Sequence, residues 1–150
     1  MPEDVREFNR AVVAEFRATG GAMGEGRFPR PLVLLTTTGA KSGREHTVPL
    51  GDLSDDPARV VVGAMGRRGP KNPAWLENLL ANPAVVVERR GADGRLERIE
   101  TTAVIAEGDE RARIVAGLRE LRPQVDEFEA QTGRLLPIVL LDCARDENRS

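Results

Sequence analysis

The chain changes its periodicity at Leu32, and that change limits what it can fold into. Before it, Val5, Phe8, Val12 and Phe16 recur at spacings of three and four, which draws one apolar stripe along a helix over residues 2–18. Thr19-Gly20-Gly21 supplies the stop, and Gly20 to Pro31 is a glycine- and proline-rich loop. After it, short β-branched runs follow one another across tight turns: Leu32 to Thr38, Thr47 to Leu53 and Arg59 to Ala64. Pro49 has no N–H, so the second of these belongs at an edge or a bulge. Ala84 to Arg90 and Leu96 to Ala106 form a hairpin around Gly91-Ala92-Asp93-Gly94, and Leu135 to Leu141 is a last strand.

Helices interrupt this series. Asn72 to Leu80 reads as a short helix with Asn72 as its N-cap and Pro73 at its first position; Asn82-Pro83 ends it. Asp109 to Arg122 reads as a polar-faced helix. Strands joined by tight turns must pair antiparallel. The expected class is therefore α+β, with a small and mainly antiparallel barrel, rather than a doubly wound sheet.

With 150 residues the chain fits one domain, 1–150, whose last residues 144–150 are polar and expected to fray. A net charge of −2 and basic residues that form no block give no reason to expect nucleic acid as a partner. The single cysteine, Cys143, rules out a disulfide within the chain, and the single histidine, His46, rules out a multi-histidine metal site. No apolar run reaches the roughly 20 residues that span a bilayer, and the acidic start is unlike a secretory signal, so the cytoplasm is the expected location. The first helix could instead lie on a membrane surface, but its polar face mixes Glu with Arg and lacks the basic bias such contact favours.

Chemistry concentrates in Thr36-Thr37-Thr38-Gly39-Ala40-Lys41-Ser42-Gly43-Arg44. Two glycines free the backbone to turn N–H groups inward, and hydroxyls, a lysine and an arginine surround them. That set suits a phosphate. It is not a P-loop, because the Gly-Lys-Ser/Thr run is missing and a strand follows. A plain hairpin turn with solvated charges is the competing reading. Gly63-Ala64-Met65-Gly66-Arg67-Arg68-Gly69 closes the third strand with small residues that would let a flat ring approach; a glycine-rich loop with solvated arginines explains it equally. Trp75 could pack a ring system, although a core anchor is the commoner role. His46 lies just past the turn, where it could carry charge or a proton. No nucleophile-elbow pattern supports Ser/His/Asp hydrolysis, and the chain has no tyrosine to serve as an acid.

Leu34-Leu35-Thr36-Thr37-Thr38-Gly39-x-Lys41-Ser42-Gly43, Pro49-Leu50, Val60-Val61-Val62, Asn72-Pro73-x-Trp75-x-x-Asn78-Leu79-x-Ala81-Asn82-Pro83 and Thr132-x-Arg134-x-x-Pro137-Ile138-Val139 occur in this order. Together, over about residues 8–141, they resemble the deazaflavin (F420)-dependent nitroreductase and quinone reductase family of split β-barrels, relatives of the FMN-binding barrels. The resemblance implies coenzyme F420, with FMN as the alternative, and hydride transfer to a small quinone, nitro or enone acceptor. It implies that Lys41 and Ser42, with Thr38, Gly39 and Gly43 around them, hold the phosphate. His46, Thr47, Val48, Pro49 and Leu50 would run beside the ring. Gly63, Ala64, Met65 and Gly66, with Arg67, would line its other side. Trp75 and Asn78 would brace the site, and a homodimer is an expected assembly.

The chain departs from that family at Ala40, at Glu45-His46 and at Met65-Gly66-Arg67-Arg68, where relatives often carry Arg or Lys, Pro-Arg and Ser-Lys-Gly-Gly. A charged contact to phosphate contributes roughly 1.5–3 kcal/mol, so two lost without replacement would weaken binding more than about a hundredfold. Leu76 stands where a tyrosine is frequent and Phe128 lies in the region of another. Met65, Leu76 and Phe128 are therefore expected around an apolar acceptor pocket. No side chain stands out as the proton donor, which leaves water or His46.

Overall fold

The computed structural model describes residues 2–24, 30–54, 56–64, 73–118 and 122–143. In chain order these form α1 (Pro2–Thr19), β1 (Leu32–Thr38), β2 (Glu45–Gly51), β3 (Arg59–Gly63), α2 (Ala74–Ala81), β4 (Ala84–Arg90), β5 (Leu96–Ile105), α3 (Gly108–Gly117), α4 (Arg122–Thr132) and β6 (Ile138–Asp142). The strands form one sheet in the order β2-β1-β4-β5-β6-β3, and every pairing is antiparallel. The sheet curls into a split barrel. Its two outer strands meet again beyond β2, where the Leu53 N–H donates to the Val61 carbonyl at 2.8 Å. The Val61 N–H in turn donates to Asp52 Oδ1 at 3.1 Å.

The apolar runs of the strands follow from burial on both faces. Val33 and Leu35 of β1, Val60 and Val62 of β3, Val85 and Val87 of β4, and Val139 and Leu141 of β6 fill the barrel interior, and α2 plugs it with Trp75, Leu76 and Leu79. The alternate residues serve other layers. Leu34 packs against Val12 and Phe16 of α1. Val61, Ile138 and Leu140 pack against Val115 of α3 and Val125 of α4. Each fully buried side chain of this size contributes about 1.5–3 kcal/mol.

The stripe of α1 is thus core at Val12 and Phe16, while Phe8 stays 59% exposed. Arg17 pins the helix to β4: its Nε and Nη2 donate to the Glu88 carboxylate at 3.0 and 2.7 Å. Glu88 is only 6% exposed. No helix among the described residues is long and apolar enough to cross a membrane.

Several boundaries differ from the sequence reading. β2 starts at Glu45 rather than Thr47, because its ladder with β1 runs on to the pair Thr38 and Glu45. His46 therefore sits inside the strand, opposite Thr37. Pro49 lies in an edge strand, as its missing N–H requires. Pro73 is the N-cap of α2, with extended backbone at φ −64° and ψ 153°, not its first helical residue; Asn72 lies outside the described residues. The helix expected over 109–122 ends at Gly117, and α4 follows as a separate helix. Its sequence buries only Val125 and half-buries Phe128, too thin a stripe to announce a helix. β6 begins at Ile138, three residues later than expected, and leaves Leu135 65% exposed. The tail 144–150 lies outside the described residues.

Candidate active site

The turn between β1 and β2 is built by its own backbone. The Gly39 N–H donates to the Arg44 carbonyl at 2.7 Å and the Gly43 N–H to the Gly39 carbonyl at 3.0 Å. Gly43 has φ +72°, a conformation that suits glycine. The Ser42 hydroxyl accepts the Arg44 N–H at 3.1 Å. A side chain at Gly39 has no room: a Cβ there would lie 2.5 Å from Ser42 Oγ and 3.1 Å from His46 Nε2. Ser42 and His46 thus converge on the same side of the turn.

Helix α2 fixes the turn from below. Asn78 Oδ1 accepts the Ala40 N–H at 3.1 Å, and Asn78 Nδ2 donates to Thr37 Oγ1 at 3.1 Å. One helical turn later, Asn82 Nδ2 donates to the Thr38 carbonyl at 3.4 Å. Across the ladder, the hydroxyls of Thr36 and Thr47 share a hydrogen bond of 2.7 Å. Thr37 is buried, whereas Lys41, Ser42, Arg44 and His46 are exposed.

With these bonds assigned, the adjacent N–H groups of Lys41 and Ser42 have no hydrogen-bond partner among the described residues. Two neighbouring free donors, the exposed Ser42 hydroxyl and the cations of Lys41 and Arg44 make a donor set that fits a phosphate oxyanion. Both polar atoms of the Asn78 amide thus bond the protein, and one N–H and one oxygen lone pair are left over.

The remaining residues named from the sequence fall in three places. Val48 and Leu50 turn into the barrel interior, beside Ala64, Trp75 and Leu76, whereas Thr47 and Pro49 alternate onto the other face. Trp75, 9% exposed, is a core anchor. A Cβ at Gly63 would meet Leu53, Leu136 and Ile138 at ordinary contact distances, 3.6–3.9 Å, so close packing does not demand glycine there. Met65, Gly66, Arg67 and Arg68 lie outside the described residues. The structure does not bring Leu76 and Phe128 together. Leu76 belongs to the interior cluster and Phe128 to the cluster outside β3 and β6, where Arg134 stacks over its ring at 5.9 Å.

Sequence reasoning placed Thr37 in the turn motif and Asn82 at the end of the helix, but missed that both tie α2 to the turn. Their signal was the spacing of Asn78 and Asn82, four residues apart and so on one face of a helix. A cavity of about 800 Å³ opens at the far end of β1 from the turn, lined by Met23, Leu32, Asp52, Arg89, Arg90 and Glu97 among others. There, burial pushes the Asp52 carboxyl up, against the N–H bonds from Ser54 and Val61 that pull it down. Burial likewise pushes up the Cys143 thiol, which keeps it from acting as a nucleophile. Among the described residues no cluster of three or more His, Cys, Asp or Glu could hold a metal ion.

Comparison with known proteins covers almost the whole chain. The family model described as F420H(2)-dependent quinone reductase matches residues 8–142. The F420H(2)-dependent quinone reductase Rv1261c of Mycobacterium tuberculosis is 30% identical over 131 residues, which is 85% of each chain. Two solved structures superpose with similar sequence. An F420-H2 dependent reductase (FDR-A) has a TM-score of 0.60 and 34% identity, covering 79% of this chain and 100% of its own. A domain-swapped dimer has a TM-score of 0.64 and 32% identity, covering 95% and 100%.

Proposed function

Since the chain belongs to the F420H(2)-dependent quinone reductase family and is an F420-dependent oxidoreductase, we propose that the turn from Thr38 to Arg44 holds the phosphate of its deazaflavin and that its acceptor is a hydrophobic quinone. One observation carries the assignment of the phosphate. Lys41 and Ser42 offer two adjacent, unspent N–H donors beside a hydroxyl and two cations, in a turn that α2 holds in shape.

When bound, F420 supplies the hydride chemistry; the chain binds, orients and excludes water. Lys41 and Arg44 neutralise the phosphate. His46, Val48 and Leu50 would run along the ring on the interior face of β2, with Val48 and Leu50 giving apolar contact, while Thr47 and Pro49 lie on the other face. Gly63 and Ala64 would face it from the end of β3. Trp75 and Asn78 would brace the site or lie close to the ligand. Water or His46 would deliver the proton. An apolar acceptor is favoured over a polar one because the groups that β2 and α2 turn inward are Val48, Leu50, Trp75 and Leu76. Nitro and enone compounds with an apolar body are the further candidates. The likeness to a domain-swapped dimer supports a homodimer, and the cytoplasm is the proposed location.

Fluorescence titration with F420 tests the site. Replacing Lys41 by Ala is expected to raise the dissociation constant at least several-fold, at about one charged hydrogen bond's worth. An unchanged constant would remove the phosphate from this turn.

A further inference from the structure

We propose that the cavity at the end of β1 away from the phosphate turn is a second ligand site, which binds a small organic anion: a carboxylate or sulfonate carried on an apolar body. The site stands apart from the turn and does not depend on what the turn holds.

The cavity measures about 800 Å³, within the roughly 300–1,000 Å³ of small-molecule sites. Leu32, which lines it, and Thr38 at the turn are the two ends of β1, about 20 Å apart along an extended strand. Met23, Pro31, Leu32, Val33 and Pro57 give the cavity an apolar wall.

Two consecutive arginines of β4 receive the charged head. Arg90 is seated between two loops. Its Nη1 donates to the Gly20 carbonyl at 3.1 Å. A Cβ on Gly21 would lie 2.8 Å from Arg90 Cβ, and one on Gly94 would lie 3.0 Å from Arg90 Nη2. The loop after α1 and the β4–β5 turn thus leave a slot that the Arg90 side chain fills. Arg89 is fixed from the neighbouring strand: its Nε donates to Glu97 Oε1 at 3.0 Å, and its side chain is mostly buried. These bonds leave Nε and Nη2 of Arg90 and both Nη atoms of Arg89 without a hydrogen-bond partner among the described residues.

The other charges of the lining are answered by the chain itself. Glu97 accepts from Arg89, and Asp52 Oδ1 accepts the Ser54 and Val61 N–H groups at 2.9 and 3.1 Å. Arg30 donates to the Asp52 and Ser54 carbonyls at 2.9 and 3.1 Å. Three guanidinium groups against two carboxylates leave the lining one positive charge in excess. A cation would have to compete with Arg89 for Glu97 and with two N–H groups for Asp52. An anion meets the open ends of two guanidinium groups, whose planar forks suit the paired oxygens of a carboxylate or sulfonate.

The test uses two fluorescent probes that share one frame: anilinonaphthalenesulfonate, which is an anion, and phenylnaphthylamine, which lacks the sulfonate. Titration of the full chain should show one anion bound per chain, roughly tenfold more tightly than the neutral probe. Arg90→Met keeps the apolar stem and removes the charge; it should weaken the anion roughly tenfold and leave the neutral probe unchanged, with thermal melts reporting that the variant is folded. Amide NMR of the wild type needs no variant: the anion should move the signals of Gly21, Leu32 and Ala92 and leave those of Lys41 and Ser42 in place. No binding, equal affinity for the two probes, or undiminished binding of the anion to folded Arg90→Met overturns the proposal. Shifts that gather at Lys41 and Ser42, or displacement of the anion by F420, also overturn it, since the probe then occupies the cofactor site; neither result counts against the phosphate turn.

Discussion

Asn78 and Ala40 are joined by a hydrogen bond of 3.1 Å between the helix α2 and the tip of the β1–β2 turn, 38 residues apart in sequence. The same amide donates to Thr37, so one side chain spans the strand end and the turn. The turn keeps its shape through this link even where its own hydrogen bonds leave two N–H groups open.

Replacing Asn78 by Ala should loosen the turn and raise the F420 dissociation constant. Replacing it by Asp keeps an acceptor for the Ala40 N–H but loses the donor to Thr37. Each lost neutral bond is worth about 0.5–1.5 kcal/mol, or roughly two- to tenfold in affinity if it acts only through the turn. Amide NMR shifts of Lys41 and Ser42 in the free protein provide the check. They should move in both variants; unmoved shifts with unchanged binding would show that the turn holds itself.

Gly39→Ala is expected to weaken F420 binding more than it lowers stability. Its new methyl would sit 2.5 Å from Ser42 Oγ, which is the end of a short side chain and can swing away. The cost then falls on the hydroxyl and on the imidazole placed beside it. Binding titrations and thermal melts on the same sample would separate the two effects.

Arg17→Met removes the partner of a carboxylate that is 6% exposed. A buried charge left unpaired is costly, but Arg17 itself is half exposed, and water reaching its side of the pair reduces the loss. A destabilisation of about 1–3 kcal/mol is expected in urea denaturation. The double variant with Glu88→Gln should recover part of it.

Asp52 gives a pH signature. Burial raises its carboxyl above the ordinary value of 3.8, so the folded state holds the proton more strongly than the unfolded one. Stability from this group is therefore present at low pH and is lost as pH rises through the raised value. Asp52→Asn keeps an oxygen for the Ser54 and Val61 N–H groups and carries no charge. It should match the wild type in strong acid and become the more stable of the two toward neutrality, as measured by denaturation at several pH values. Asp52→Ala, which strands both N–H groups, should be the less stable at every pH.

The antiparallel plan was legible because β1, β2 and β3 announce themselves by β-branching and by glycine turns. The interruption between α3 and α4 was not, since Val125 and Phe128 alone do not trace a stripe. At the turn, composition located Lys41 and Ser42 as donors, but the division of labour among the amides was hidden. Which N–H groups are free depends on Asn78 arriving from a helix that sequence separates by more than thirty residues from the turn. Leu76 and Phe128 were expected to share a pocket because both replace frequent tyrosines; the alternation of the strands between them puts them on different sides of the sheet.

The meeting of β2 and β3 through Asp52, Leu53 and Val61 also bears on how copies of this protein can associate. Open strand edges invite a foreign strand to continue the ladder. Here one edge carries Pro49, which has no N–H to give, and the other already has donor and acceptor groups of Val61 engaged. Growth of the sheet by simple addition is thereby discouraged at both margins. A second molecule must dock on a face or exchange a segment, and either route favours closed, finite assemblies over open-ended stacks.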